Sequence, residues 1–178
     1  LVKTNQFKDP KYVGDPINAV KIFNEKEVDE LIVLDIDATI ENRGPDFGMI
    51  ENLAIECRMP FCYGGGVSSV IEASKIINLG AEKVAFSSSI IDNPKLIKEV
   101  SEVIGLQSVV VVLDYKKKGL FGKLEIFTHN GMRSTGINLF EFVRKLEEIG
   151  VGEIVLNSIE RDGLMKGYDI NTVEKVRD

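Results

Sequence analysis

Histidine and cysteine are scarce in this sequence, and their scarcity excludes several kinds of active site. The 178 residues include one histidine, His129, and two cysteines, Cys57 and Cys62. A Ser-His-Asp or Cys-His arrangement needs a histidine beside the nucleophile, and we interpret His129 as a surface or packing residue of a hairpin. Two cysteines do not make a disulfide framework, and their four intervening residues, with no histidine nearby, make a poor zinc site. We expect free thiols in a reducing cytoplasm.

The chain also lacks an excess of positive charge and any long apolar run. Its net charge is −6, which predicts no nucleic-acid partner, and we interpret the basic residues 116–118 as the flank of a hairpin. No apolar run reaches the length of a membrane span, and no signal-peptide pattern opens the chain. With 44% hydrophobic and 28% charged residues, the composition is typical of a soluble globular domain. We expect residues 1–178 to form a single domain, and we expect the protein to be cytoplasmic.

Strand-like apolar runs alternate with amphipathic helical patterns, which predicts a parallel α/β sheet. The runs lie at 30–36, 60–64, 83–88, 108–114 and 153–159. Two arrangements are compatible with this order, an open doubly wound sheet and a closed (β/α)₈ barrel. No G-x-G-x-x-G motif follows the first run, and polar groups end every run, as expected where a barrel collects its strand ends around one mouth. We therefore favour the barrel.

The length of the chain predicts an incomplete barrel. A whole (β/α)₈ barrel takes about 250 residues, whereas this chain opens at Leu1 and stops within a helical pattern. We expect a fragment covering roughly strands two to six, with strand one and strands seven and eight missing. The segment "VDELIVLDIDA" (28–38) can be aligned with "VGEIVLNSIER" (151–161), and such an internal repeat favours a barrel built from two similar halves.

Two consecutive strands end in residues suited to holding a phosphate. "YGGGV", which includes Gly65 and Gly66, lets backbone amides approach a ligand closely. "FSSSI", which includes Ser87 and Ser88, supplies amides and hydroxyls ahead of a helix. Either motif alone is typical of a tight turn or a helix N-cap. Both together on neighbouring strands favour a phosphate site.

Four carboxylates are predicted at the mouth: Asp35, Asp37, Asp114 and Asp162. Asp37 and Asp162 are also compatible with loop capping. Asp114 ends the most apolar run, "SVVVVLD", which makes it the strongest candidate for proton transfer in a partly closed site. Lys3 could close over a phosphate, although an exposed lysine is the default interpretation.

A second set of charges stands at the opposite strand ends. Glu30, Lys83 and Glu153 begin three alternate strand-like runs. Charges at equivalent heights on alternate strands can point into a barrel floor and pair there. Spacing alone favours a rim of solvated charges.

With these residues placed, the chain resembles the cyclase family of imidazole glycerol phosphate synthase, a family of (β/α)₈ barrels. The resemblance covers essentially the whole chain. The segments that carry it are "GDP" at 14–16, "DELIVLDIDA", "YGGGV", "AEKV", "NP" at 93–94, "VVLDYK", "THNGMRSTGI", "GEIVLNSIERDG" and "GYD" at 167–169.

The resemblance implies an ammonia-dependent lyase of histidine biosynthesis that forms a heterodimer with a glutaminase subunit. Its phosphorylated substrate, a ribulosyl-formimino carboxamide ribonucleotide, and ammonia would give imidazole glycerol phosphate and an aminoimidazole carboxamide ribotide. Two aspartates act as acid and base in the family. One matches Asp114, and the other belongs to strand one. The resemblance implies no metal and no organic cofactor.

The resemblance also assigns positions. A catalytic loop lysine matches Lys3, and a charged gate at the ammonia entrance matches Glu30, Lys83 and Glu153. Glu82 matches an acidic position at the glutaminase interface. The phosphate-binding and substrate-binding positions are Gly65, Gly66, Ser87, Ser88, Asp35, Asn157, Asp162 and Gly163.

Several positions depart from the usual pattern of the histidine enzyme. Leu164 and Asn157 each stand where the family usually has threonine, and "DIDAT" replaces a form closer to "DITAS". The segment 7–31 resembles more closely a paralogous branch associated with surface-polysaccharide genes, which is thought to amidate an acetamido group of a nucleotide sugar. Both substrates stay open, and so does a non-catalytic remnant that only docks a glutaminase.

Overall fold

The structure is a computed structural model that describes residues 1–120 and 122–177. The strands are β1 (Val2–Asn5), β2 (Lys8–Tyr12), β3 (Leu31–Leu34), β4 (Phe61–Gly64), β5 (Lys83–Phe86), β6 (Val109–Lys118), β7 (Lys123–Thr128), β8 (Arg133–Asn138) and β9 (Glu153–Ser158). The helices are α1 (Pro16–Glu25), α2 (Phe47–Glu56), α3 (Val70–Asn78), α4 (Ser88–Asp92), α5 (Leu96–Ile104), α6 (Leu139–Ile149) and α7 (Ile170–Arg177).

Five parallel strands form the main sheet, in the order β3-β4-β5-β6-β9. Once the β7–β8 hairpin is set aside, this spatial order is the order along the chain. A doubly wound sheet reverses its order at a switch point, and the described strands contain no such reversal. The sheet therefore has the winding of a (β/α) barrel, as the strand-end pattern predicted.

The two faces of this sheet differ because successive side chains of a strand point to opposite sides. On the outer face, strand residues such as Tyr63, Phe86 and Leu113 join a large apolar core with the helices. On the inner face, a small separate cluster contains Cys62, Ala85, Val110, Val112 and, partly buried, Val155. The helices thus cover one side of the sheet, which leaves its inner face for the functional groups described below.

Side chains cap the first turns of two of the helices. Asp15 accepts hydrogen bonds from the amides of Ile17 and Asn18, with Pro16 at the first helical position of α1. Asn138 caps α6 in the same way. Asn93 follows the short helix α4 as its C-cap, and α5 begins at Leu96.

The predicted hairpin after the fourth parallel strand is present, and a further strand, β8, extends it into an antiparallel meander. β6 runs on to Lys118 and pairs with β7, and β7 then pairs with β8. The turn between β7 and β8 carries His129, Asn130 and Gly131, all with positive φ. Such a backbone is uncommon in residues other than glycine, and it directs the turn over the carboxyl ends of the parallel strands.

An antiparallel hairpin, β1–β2, stands where only a loop was expected. It docks on the turn after β9, because Asp162 accepts hydrogen bonds from Thr4 Oγ1 (2.6 Å), from the Phe7 amide (3.1 Å) and, at its backbone carbonyl, from the Gln6 amide. A Cβ on Gly163 would lie 2.0 Å from the carbonyl oxygen of Thr4. Gly163 therefore permits the close approach of two backbones.

None of the helices within residues 1–120 and 122–177 combines the length and the apolar character that crossing a bilayer demands.

Gly163→Ala should release the hairpin. The added methyl group cannot fit against Thr4, so we expect a loss of about 1 to 3 kcal/mol in the docking of this segment. Hydrogen exchange of the Gln6 and Phe7 amides, which are bonded to Asp162, measures the effect directly.

Gly167→Ala is the matched control. Gly167 has nearly the same φ as Gly163, +72° against +69°, but a Cβ there would meet no atom within 4 Å. Equal changes in exchange from the two substitutions would attribute the effect to backbone strain and contradict the docking role of Gly163.

Candidate active site

A cavity of about 610 Å³ lies at the carboxyl ends of the parallel strands. It collects most of the mouth residues that the sequence singled out. These are Asp35, Gly65, Gly66, Ser87, Ser88, Asp114, Asn157 and Asp162. The hairpin residues Thr4 and Phe7 close one side. Three predicted residues, Lys3, Asp37 and Gly163, lie outside the lining.

Asp114 lies on the inner face of β6 and is enclosed by the cavity wall. Its neighbour in the register is Asn157 of β9, whose Nδ2 donates to Asp114 Oδ1 at 2.9 Å. Burial raises the pKa of Asp114 to about 7, and against this rise the Asn157 hydrogen bond lowers the pKa while the Asp162 carboxylate raises it further. Asp114 can therefore hold or release a proton near neutral pH.

Asp35 has internal partners for both carboxylate oxygens. Arg43 makes a two-point contact with it, from Nη1 to Oδ2 at 2.6 Å and from Nη2 to Oδ1 at 3.1 Å, and the amides of Asp37 and Ala38 also donate to Oδ1. The hydrogen bonds to Asp35 and Glu41 raise the pKa of Arg43 above its ordinary value. Asp35 thus holds an arginine at the cavity wall.

Asp162 is likewise engaged, by Thr4 Oγ1 and the Phe7 amide of the hairpin. Asp37 is exposed and lies outside the lining of the cavity. Lys3 is exposed on β1, one residue before Thr4. Of the four predicted mouth carboxylates, Asp114 is the one that faces the cavity with a single amide as its hydrogen-bond partner among the described residues.

The glycines after β4 permit a close approach of the loop that follows the neighbouring strand β3. A Cβ on Gly65 would lie 2.5 Å from the Asp35 carbonyl oxygen, and one on Gly66 would lie 2.5 Å from that of Arg43. Both residues have positive φ. Ser87 and Ser88 stand beside them at the start of α4, where Ser89 Oγ donates to the Val67 carbonyl at 2.8 Å. This bond joins the two segments.

Sequence reasoning missed other cavity residues. Arg43 and Arg133 bring positive charge, and Glu72 and Asp92 bring negative charge. His129, expected on the surface or in packing, lines the cavity, and its Nδ1 lies 3.0 Å from Thr128 Oγ1. A single charged residue carries no periodic signal, whether it lies in a loop, as Arg43 does, or near the end of a helix or strand, as Asp92 and Arg133 do. The positive φ of His129 and Asn130 marks their turn as special, but only the structure reveals it.

At the other end of the inner face, Lys83 binds two glutamates. Its Nζ lies 2.8 Å from Glu30 Oε1 and 2.8 Å from Glu153 Oε2. These hydrogen bonds, that from Glu153 first, raise the pKa of Lys83 above its ordinary value. The three residues come from β5 and from the starts of β3 and β9, which are alternate strands of the sheet. Spacing alone favoured separate solvated charges, whereas the three side chains pair with one another and remain 23% to 43% exposed.

Between this charged group and Asp114 the inner face is apolar. Cys62 lies beside Lys83 in the register, and Ala85, Val110, Val112 and Val155 follow toward the mouth. Burial raises the pKa of the Cys62 thiol to about 12, so it stays protonated. Cys57 and Cys62 are free thiols, as predicted.

Glu82, the predicted partner contact, is exposed beside Lys83, at the end of the sheet opposite the cavity. Within residues 1–120 and 122–177, the structure brings together no group of three or more His, Cys, Asp or Glu side chains that could hold a metal ion. The absence of a cofactor stays a prediction.

Comparison with known proteins adds to this geometry. Residues 1–178 match the histidine biosynthesis protein family. The chain belongs to this family. A Vibrio vulnificus protein, named provisionally as imidazole glycerol phosphate synthase subunit hisF3, is 52% identical over 99% of this chain and 68% of its own length. A Pseudomonas aeruginosa protein, named provisionally as subunit hisF2, is 51% identical over 99% of this chain and 70% of its own.

More distant relatives carry names without that qualification. Imidazole glycerol phosphate synthase subunit HisF of Petrotoga mobilis is 39% identical over all of this chain and 71% of its own length. Membership of the histidine biosynthesis family confirms the resemblance found in the sequence motifs. The family also accords with a barrel-type fold, although the extent of the barrel that this chain forms stays a prediction.

Asp114→Asn should change the pH dependence of stability. Between the ordinary pKa of 3.8 and the folded value of about 7, the unfolded chain has lost a proton that the folded chain keeps. The free energy of unfolding of the parent protein therefore falls as pH rises through this window. We expect the variant to gain about 2 to 4 kcal/mol over the parent between about pH 4.5 and about pH 7.5.

Urea unfolding at several pH values measures this difference, with Asp37→Asn as the same change at an exposed carboxylate. A difference between Asp114→Asn and the parent that stays constant with pH would show that Asp114 is ionised throughout.

Proposed function

We propose that the chain is the ammonia-accepting synthase subunit of a cytoplasmic glutamine amidotransferase pair, with Asp114 as its acid and base. One observation carries the proposal. Asp35 and Asp162 are occupied by internal partners, whereas Asp114 faces the cavity with a pKa of about 7. A group with such a pKa can take up and return a proton at neutral pH.

The chemistry of ammonia addition needs such a group. When ammonia attacks a carbonyl carbon, a proton must leave the nitrogen and another must reach the oxygen before water departs. In the histidine-pathway reaction, Asp114 would serve these transfers during ring closure to imidazole glycerol phosphate, with release of the aminoimidazole carboxamide ribotide. The reaction is then that of a lyase and cyclase that uses ammonia.

We assign one phosphate of the substrate to the ends of β4 and β5. Gly65 and Gly66 would offer backbone amides, and Ser87 and Ser88 would offer amides and hydroxyls. Arg43, held by Asp35, supplies positive charge on the same wall. Five carboxylates line the described cavity against two arginines, so amide and hydroxyl donors must carry much of the phosphate binding. The carboxylates are Asp35, Glu72, Asp92, Asp114 and Asp162.

The remaining assignments concern the mouth. Asn157, Asp162 and Gly163 stand on and after β9, beside the docked hairpin. We propose that they shape the substrate site, with Asp35 and Asp162 acting through the loops they hold. Lys3 is assigned to the substrate phosphate, which requires its exposed side chain to turn toward the cavity.

Ammonia would enter through the charged group Glu30–Lys83–Glu153 and reach Asp114 along the apolar inner face. Among the described residues, the inner-face positions from Cys62 to Val112 are apolar, so no charged side chain there would hold ammonia as ammonium. Glu82 beside the entrance would contact the glutaminase. This arrangement supports a heterodimer in which the partner covers the floor of the sheet.

A barrel accounts for the arrangement of inner side chains. In a (β/α)₈ barrel, each interior layer takes its side chains from alternate strands, as Glu30, Lys83 and Glu153 are placed on β3, β5 and β9. We propose that this chain forms strands two to six of such a barrel. Ile32 and Leu34 on the inner face of β3 are exposed by 38% and 41%, and the interior side chains of the strands that complete a barrel would cover them.

A second function has specific support. The four relatives at 51–52% identity all carry provisional names, two of them numbered, whereas those named HisF without qualification lie at 38–39%. Asn157 and Leu164 also replace threonines of the usual pattern at the mouth. The alternative substrate is a nucleotide sugar whose acetamido carbonyl would accept ammonia and lose water to give an amidine. Asp114 would carry out the same proton transfers.

The deciding experiment follows ammonium-dependent turnover of the ribulosyl-formimino ribonucleotide by absorbance, using the protein as its gene encodes it. We expect turnover in the parent protein and a loss of about 10²-fold to 10⁴-fold in Asp114→Asn, since general acid–base catalysis contributes that much. Circular dichroism should show that the variant remains folded. Unchanged turnover in Asp114→Asn would remove Asp114 from the mechanism.

The result also separates the candidate functions. No turnover from the folded parent protein would exclude the histidine-pathway substrate, and acetamido nucleotide sugars with ammonium would be tested next. If neither the ribonucleotide nor the nucleotide sugars were turned over and the protein bound a glutaminase tightly, the remaining candidate would be a non-catalytic subunit that only docks a glutaminase.

Lys83→Ala should affect one nitrogen source more than the other. In the complex with its glutaminase, we expect glutamine-driven turnover to fall more than ammonium-driven turnover, because ammonium from solution can bypass the floor. Both rates are measured on the same preparation. Lys21→Ala is the control. It removes an exposed lysine on the helical side of the sheet, whose Nζ lies 3.9 Å from Glu56 Oε2. Equal losses from both nitrogen sources in Lys83→Ala would exclude the gate.

A further inference from the structure

Asn157 and Asp114 form an isolated polar pair on the inner face of the sheet. They are register neighbours on the parallel strands β9 and β6, and Asn157 Nδ2 lies 2.9 Å from Asp114 Oδ1. Toward the floor, the inner-face positions next to them are Val112 and Val155, which are apolar. Within the described residues, this amide is the one hydrogen-bond partner of the Asp114 carboxyl.

A side-chain amide is suited to a carboxyl group that changes protonation state. Its NH₂ group donates to a carboxylate, whereas its carbonyl oxygen accepts from a protonated carboxyl, and a half-turn of the amide exchanges the two. The orientation with Nδ2 toward Asp114 is the one that matches an ionised acceptor. One residue can therefore keep its hydrogen bond to Asp114 before and after a proton transfer.

We propose that Asn157 is the positioning residue of Asp114, holding its carboxyl in the cavity in both protonation states. The inference rests on the proposed role of Asp114 in proton transfer. It assigns to Asn157 an action through Asp114, in addition to the substrate contact expected from its place in the cavity.

The effect of Asn157 on Asp114 can be separated from the effects of the other ionisable groups around the cavity. From the turn after β9, Asp162 acts on Asp114 by charge, but its carboxylate is held by Thr4 and Phe7. The ionisable groups on the other cavity walls come from the loop after β3, from α3, from α4 and from the β7–β8 hairpin. They are Asp35, Arg43, Glu72, Asp92, His129 and Arg133. A change at Asn157 leaves all of their described contacts intact.

Asn157→Leu tests the pair, because leucine has a similar size and no hydrogen-bonding group. Loss of a hydrogen bond to a charged group should raise the pKa of Asp114 by about one to two units. Carbon-13 NMR of protein labelled at the aspartate carboxyls measures this value without substrate, and Asp114→Asn identifies the signal. In turnover, the acidic limb of the pH profile should move upward by the same amount, with kcat affected more than KM.

Two further variants guard the interpretation. Asn157→Thr retains a hydroxyl that both donates and accepts, so it should restore the Asp114 pKa to within about half a unit of the parent, and it covers the case in which Asn157→Leu fails to fold. Thr39→Val removes a hydroxyl elsewhere in the cavity lining and should leave the Asp114 signal unchanged.

An Asp114 pKa that is the same in the parent and in folded Asn157→Leu would overturn the proposal. So would a shift in Asn157→Thr as large as that in Asn157→Leu. Failure of the proposed function looks different, because the parent protein would then turn over neither substrate while the NMR shift could still be present.

Discussion

The two-residue pleat of the parallel strands is the constraint on which the rest of the molecule depends. It sends alternate residues of β3, β4, β5, β6 and β9 to an apolar core under the helices, and the others to one inner face. The inner face can therefore carry a cation at the amino ends of the strands and a carboxylate at their carboxyl ends. Lys83 and Asp114 occupy these opposite ends, and the small or β-branched residues between them keep the intervening surface apolar. A one-residue slip of β6 would turn Asp114 into the helical core.

The carboxylates of the cavity differ in environment, and this difference divides their roles. Asp35 is neutralised by Arg43, and Asp162 is occupied by the hairpin, so both act as structural anchors. Asp114 is desolvated and has one amide partner, which keeps its proton available near neutral pH. Identical side chains thus differ in how firmly they hold a proton, according to how many donors surround them.

Sequence reasoning recovered the parallel core because β6 and its neighbours carry continuous apolar runs that only a doubly buried strand explains. It missed β8, with the polar segment "RSTGIN", and the exposed hairpin β1–β2, because neither has an apolar period. Arg43 was also missed, since its pairing with Asp35 depends on the path of one loop. For Lys83, spacing alone favoured solvent, and the pairing is decided by residues 53 and 70 positions away. The internal repeat already matched the two glutamates that bind it.

The hairpin contacts have a consequence for the order in which the molecule assembles. Thr4 and Phe7 meet Asp162 across 158 and 155 residues of chain. Contacts of such separation close large loops and form late, because the entropy of the intervening chain must be lost first. We therefore expect the β1–β2 hairpin to stay exposed to solvent until the parallel strands between it and Asp162 have formed and paired. The wall of the cavity that Thr4 and Phe7 provide is therefore completed only when β9 and its turn are in place.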